Sequence, residues 1–257
     1  MAVNHAAQSV FEPGGLAKPL IYAVALDVGA LAEDARLDQG GGTWEYNGVT
    51  FKDDVTNELS IAEAMERHVN IAAGKTACLI GPEKLHSALL RFGFGAKTCA
   101  DGVPGESFGL VSSKSERWRI DKTTAARVGM GYGFAATGLQ VAQAYAALAN
   151  HGTLVRPVLV KGAGTNTASQ AVSPAAADAI ARALRFPMPS TVQMFEGGID
   201  RNAYSPTNYI ASCAGFAASA DERYAVAVSF TKPHPAHSGD EVARPVWLSI
   251  ANALKQE

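Results

Sequence analysis

Two runs near the C-terminus constrain this chain more than any other feature. Residues 209–216 and 224–230 are rich in β-branched and aromatic side chains, and Ala220-Asp221-Glu222 joins them. Such a pair predicts an antiparallel hairpin. Most of what precedes it reads as helix or loop. Leu16, Leu20, Ile21, Val24, Ala25 and Leu26 describe a buried helix, with Pro19 tolerated in its first turn and Gly29 as a stop. Residues 36–54 form an irregular or hairpin-like excursion around Gly40-Gly41-Gly42. Ser60 and Glu63 form a capping box for a helix expected to continue to about Ala73. Further helices are expected over 83–91, 137–150, 175–185 and 242–255, with a long loop over 93–118 and a short strand over 154–160. Helices first and a strand pair last predict an α+β layer arrangement.

Composition narrows the function classes. The 257 residues are 47% apolar and 18% charged with a net charge of −2, so no basic face points to nucleic acid or an anionic membrane. Cys78, Cys99 and Cys213 are far apart and show no metal-ligand spacing, so they read as plain thiols, and no metal or cofactor is expected. Residues 1–10 have neither a basic region nor an apolar run, which gives the expectation of no signal peptide. No stretch approaches the roughly 18 consecutive apolar residues that a membrane span requires.

The segment Phe11-Glu12-Pro13-Gly14-Gly15-Leu16-Ala17-Lys18 resembles the Tyr-Glu-Pro-Gly-Ser-Thr-x-Lys segment of penicillin-binding protein transpeptidases of the division and elongation type. The likeness continues in family order through Gly81-Pro82-Glu83-Lys84-Leu85, Phe92-Gly93-Phe94-Gly95, Pro104-Gly105-Glu106 and Gly131-Tyr132-Gly133. It extends through Thr137-x-Leu139-Gln140, Ala146-Ala147-Leu148-Ala149-Asn150-x-Gly152 and Ser212-x-x-Gly215-Phe216-Ala217. It covers about residues 4–254 and is weakest between 160 and 190. The resemblance implies the α+β fold shared with serine β-lactamases: one transpeptidase-like domain over 1–257, with a helical region over 16–186 packed on a reduced antiparallel sheet and closing helix over 188–257.

The family's chemistry needs three short motifs on one cleft. In Ser-x-x-Lys the lysine lies one helical turn from the serine and takes its proton. Here Gly15 holds the serine position and Lys18 remains. Ser-x-Asn is replaced by His68-Val69-Asn70, and Lys-Thr-Gly-Thr aligns with Met188-Pro189-Ser190-Thr191. The resemblance therefore implies no functional catalytic set, only the degenerate positions Gly15, Lys18, His68, Asn70, Met188 and Thr191. Asn70 and Thr191 are left as substrate-binding positions, and the Gly15 N–H is left as an oxyanion donor. Read without the family, Lys18 is a solvated or salt-bridged helix residue, His68 a surface or packing histidine, and Asn70 a residue bonding backbone across the cleft.

What the resemblance implies about function is a non-catalytic homologue in cell-wall synthesis or division, binding protein partners or, weakly, a peptidoglycan stem peptide. One alternative is an active D,D-transpeptidase or carboxypeptidase with a relocated nucleophile, for which Ser9, Ser60 and Ser190 are the candidates. Another is a truncated fragment of a membrane-anchored protein. Family members act on the outer side of the cytoplasmic membrane and begin with strands that flank the C-terminal hairpin. The chain starts just ahead of its first helix, so an open sheet edge and a partner chain supplying those strands are expected. The GxGxxA pattern at Gly131–Ala136 lacks a preceding strand and a following acid, and reads as a turn entering the Thr137 helix. His234, His237 and Asp240 read as loop polarity rather than a metal site.

Overall fold

The computed structural model describes residues 3–99, 101–112, 121–160, 167–184, 192–199, 209–218, 222–235 and 238–254. A short α1 (His5–Gln8) and β1 (Val10–Phe11) lead through a 3-10 segment, Gly14–Ala17, into α2 (Lys18–Asp27). Pro19 sits in the first turn of α2, where a missing N–H breaks no helical hydrogen bond. Every residue of α2 from Lys18 to Ala25 is buried, so the helix is apolar nearly all round and forms the axis of the helical region.

The excursion after α2 contains a true hairpin, β2 (Thr43–Tyr46) with β3 (Val49–Lys52). Its turn is Asn47-Gly48, both at positive φ (48° and 78°), rather than the expected Gly40-Gly41-Gly42. An Asn-Gly pair between short alternating runs is the strongest local hairpin signal, because both residues tolerate the left-handed region.

The single helix expected over 60–73 is two. Ser60 and Glu63 form the predicted capping box, but α3 (Ile61–Glu66) stops there. His68 takes φ 55°, and α4 (Asn70–Ile80) starts afresh. A tertiary contact explains the restart. The Asp53 carboxylate accepts the N–H groups of Asn70 (2.8 Å) and Ile71 (2.6 Å), capping a helix start that has no local cap. After α4 come α5 (Pro82–Arg91), α6 (Thr124–Gly129) and β4 (Ala136–Thr137), the last paired with β1.

The helix expected at 137–150 is α7 (Gly138–Ala149), with Thr137 as N-cap. Gln140 does more than close its capping box. Its Oε1 accepts the Thr137 N–H (2.9 Å), while its Nε2 donates to the Ala96 and Phe108 carbonyls (2.8 and 2.9 Å). The side chain is fully buried, so each lost bond would leave a dry polar group. Gln140→Ala is expected to lower the unfolding free energy by about 3 kcal/mol, read from urea denaturation. A loss under about 1 kcal/mol would mean that this network contributes little.

The expected 154–160 strand is only β5 (Thr153–Val155), paired with β6 (Ala168–Gln170). Pro157, with no N–H to donate, follows its end. Next comes α8 (Pro174–Ala183), which packs on α2 and α7.

The C-terminal hairpin is present as β8 (Ile210–Ala218) and β9 (Arg223–Thr231), and β7 (Val192–Ile199) pairs with the other side of β8. The order is β7-β8-β9, antiparallel throughout. One face of this sheet lies on α7. The other is covered by a π-helical turn, Gly239–Ala243, and the closing helix α9 (Arg244–Leu254). Trp247, fully buried on α9, joins Met194, Cys213 and Ala217 in the core between sheet and helix, and its Nε1 donates to the Val226 carbonyl (3.0 Å). Among the described residues no helix is long and apolar enough to cross a membrane.

Candidate functional site

The turn that enters α2 is clamped from behind. Glu12 Oε1 accepts the Gly133 N–H (2.6 Å), the Gly14 N–H donates to the Gly131 carbonyl (3.0 Å), and the Tyr145 hydroxyl donates to the Leu16 carbonyl (3.0 Å). A Cβ on Gly131 would lie 1.8 Å from the Gly14 carbonyl oxygen, so glycine is required where the two backbones meet. The Gly131-Tyr132-Gly133 segment is thus more than a turn ahead of α7: it is the seat of the Gly14–Gly15 turn. Within that turn Gly14 carries the positive φ (54°), and Gly15 lies outside the left-handed region. Nothing in the backbone conformation asks for glycine at position 15.

Lys18 corrects its sequence reading. It is buried rather than solvated, with 3% of its surface exposed. Its Nζ donates to the His68 carbonyl across 2.5 Å. Burial pushes its pKa down to about 8, against the opposing pull of the Asp53 carboxylate. Asp53 is itself held above the usual carboxylate range by burial, opposed by the Ile71 and Asn70 N–H groups and then by Lys18. Tyr22, one turn beyond Lys18 on α2, is fully buried, and its hydroxyl has no hydrogen-bond partner among the described residues. Burial first, then Asp53, raise its pKa far above the phenol range. An ammonium, a carboxylate and a phenol thus share one electrostatic neighbourhood inside the helical region.

His68 delivers its backbone to this site and its ring to the sheet. Although the residue is exposed overall, its ring packs against Phe195 of β7, with centroids 4.9 Å apart. Burial, then the Lys18 charge, push the imidazole down to about 4, opposed by Asp240, so the ring is neutral at pH 7. Asn70 is the first residue of α4, and among the described residues its contact with the site is its N–H to Asp53. Gly15, Lys18, His68 and Asn70 are therefore brought together, whereas Met188, Ser190 and Thr191 lie outside the described residues. Of the other serines considered as nucleophiles, Ser60 is committed to its cap with Glu63, and Ser9 Oγ is paired with His5 Nδ1 at the surface (2.8 Å). Neither is bonded to Lys18, whose Nζ is given to a carbonyl.

Sequence reasoning missed Asp53 and Tyr22. Tyr22 was findable, because a residue four places after Lys18 faces the same side of a helix. Asp53 lies on the approach to a different helix, and no local pattern ties it to Asn70. Asp240 is paired with Arg244 (2.7 Å), one helical turn on, and His237 lies outside the described residues.

The penicillin binding protein transpeptidase domain model matches residues 1–186. The chain belongs to this family. It is 30% identical over 221 residues to a probable peptidoglycan D,D-transpeptidase, PbpC, of Pseudomonas aeruginosa, covering 86% of this chain and 37% of that protein. It is 28% identical over 273 residues to the peptidoglycan D,D-transpeptidase FtsI of Escherichia coli, covering 98% of this chain and 45% of that protein. The chain thus spans less than half the length of these curated relatives. The crystal structure of penicillin binding protein 3 from Mycobacterium tuberculosis superposes with a TM-score of 0.82 at 25% identity, covering 100% of this chain and 65% of that one. A peptidoglycan glycosyltransferase from Burkholderia ambifaria gives 0.78 at 25% identity, covering 90% and 75%. The transpeptidase fold expected from the motifs is therefore the fold present.

Proposed function

We propose that this chain is a non-catalytic member of the transpeptidase family, with a binding or scaffold role in cell-wall synthesis or division. The residue at position 15 carries the reading. Acyl transfer needs a side-chain nucleophile at the start of α2, and glycine has none. Loss of a nucleophile costs about 10⁶ in turnover in serine hydrolases. The ordinary backbone at Gly15 supports the same reading, since conformation does not explain the missing side chain. Lys18 keeps a pKa of about 8, suited to a general base, but its hydrogen bond goes to a carbonyl that holds no proton to give. Met188, aligned where the family has lysine, removes a cation for a terminal carboxylate. Stem peptide held by Asn70 and Thr191 is held without acylation.

The test is direct. Incubation with a fluorescent penicillin is expected to leave no covalent band after denaturation, and Gly15→Ser with Met188→Lys is expected to give weak acylation at best. A stoichiometric band on the unaltered chain would end this reading and establish the relocated nucleophile instead. Co-purification from cells tests the scaffold role, and a chain recovered without cell-wall synthesis or division proteins would count against it.

A further inference from the structure

The helical region carries a second concavity that shares no residue with the Lys18 site. A groove of about 440 Å³ lies between the end of α5, the loop that follows it, and the β5–β6 hairpin. Leu90, Phe108 and Leu154 give it an apolar lining, and Leu90 and Phe108 stand 48% and 57% exposed. Two cations, Lys97 and Arg156, line the same groove, and no acid does. Among the described residues neither cation forms an ion pair. Lys97 Nζ sits over the Phe108 ring, 5.4 Å from its centroid. The Arg156 guanidinium donates to the Cys99 and Lys97 carbonyls (3.0 and 3.4 Å), which fixes its position and leaves its charge. The acids of the same loop are committed elsewhere. Asp101 accepts the Leu159 and Val160 N–H groups (3.0 and 2.9 Å), and the buried Glu106 accepts the Thr98 N–H (2.6 Å).

We propose that this groove binds an extended segment of a partner protein in which an aspartate or glutamate neighbours a large apolar residue. Charge complementarity selects the acid: a carboxylate supplies what Lys97 and Arg156 lack, and both donate charge-assisted hydrogen bonds to it. The apolar neighbour covers Leu90 and Phe108, which water now reaches. The walls are already held in place. Gln140 Nε2 ties the Ala96 and Phe108 carbonyls together (2.8 and 2.9 Å), and Gln143 Nε2 donates to the Val155 carbonyl (3.0 Å). A preformed groove of this kind loses little freedom when it is filled. The proposal rests on the binding role argued above and gives that role a place on the molecule. It does not depend on whether the chain acylates.

Selection of a random-peptide phage library against the full chain is expected to enrich peptides that pair an acid with a large apolar residue. A selected peptide, synthesised with a fluorophore, then reports affinity by fluorescence polarisation. Lys97→Glu, Thr167→Glu and Phe108→Ala, all at exposed positions lining the groove, leave Gly15 and Lys18 unaltered. Each is expected to weaken the peptide about tenfold, with circular dichroism unchanged. Added salt is expected to weaken it as well, since a contact at the rim is screened. Enrichment of peptides without acids overturns the proposal, as does a selected peptide indifferent to Lys97→Glu and Phe108→Ala. A dimer in sedimentation velocity that Lys97→Glu dissolves would give the groove to a second copy and overturn it too. A covalent penicillin band would end the non-catalytic reading and leave peptide binding to these variants as the separate measure of the groove.

Discussion

Gly131→Ala is expected to destabilise the protein by about 4 kcal/mol, combining overpacking with left-handed strain. The new methyl carbon would stand 1.8 Å from the Gly14 carbonyl oxygen and 2.4 Å from its carbonyl carbon. Both are backbone atoms, so no side chain can swing away. The φ of Gly131, 91°, adds a second cost that an L-residue pays wherever it sits. Relief requires moving the Gly14–Gly15 turn, and that turn is tied to the same segment by the Gly14 N–H bond to the Gly131 carbonyl. Gly81→Ala is the matched control, since φ there is 84° but no atom lies within 4 Å of the added Cβ. The Gly81 ψ of 155° lies in a region essentially reserved for glycine, so this substitution is expected to cost about 2 kcal/mol from backbone strain alone. Urea denaturation of both variants separates contact from conformation, and equal losses would mean that the approach of the two backbones contributes nothing.

Lys18→Met is expected to reveal a pH-dependent stability difference of about 3 kcal/mol. In the unfolded chain Lys18 keeps its ordinary pKa of 10.5, whereas burial lowers the folded value to about 8. Below about 8 both states hold the proton and the full penalty of burying a charge is present. Between about 8 and 10.5 the unfolded chain binds more protons at this site, so stability rises with pH across that window. The methionine variant lacks this titration, and groups that do not feel the Lys18 charge cancel in the difference. The unaltered protein should therefore gain on Lys18→Met as pH climbs from about 8 to 10.5, with no further change above. A difference flat with pH would mean that the ammonium is as well solvated in the fold as outside it.

The chain illustrates which signals are local. The capping box at Ser60, the buried α2 and the β8–β9 hairpin were legible because each depends on residues a few places apart. The Asn47-Gly48 turn is equally local, although Gly40-Gly41-Gly42 is the more conspicuous run of turn residues. The break between α3 and α4 had no such signal. An Ala-rich run with a good N-cap reads as one helix, and only Asp53, arriving from β3, supplies the second cap that restarts it at Asn70.

At the candidate site the same division holds. The order of motifs and the glycine at position 15 could be read from residue identities alone, because they concern which side chains exist. Burial of Lys18, its bond to the His68 carbonyl, the nearby Asp53 and the contact of Gly131 with Gly14 could not. Each depends on the distance between segments remote in the chain, and that distance is set by how the helices and the sheet pack. Hydrogen-bond reach and dielectric surroundings belong to that packing, so sequence named the chemistry that is missing and only the tertiary structure decided the state of what remains.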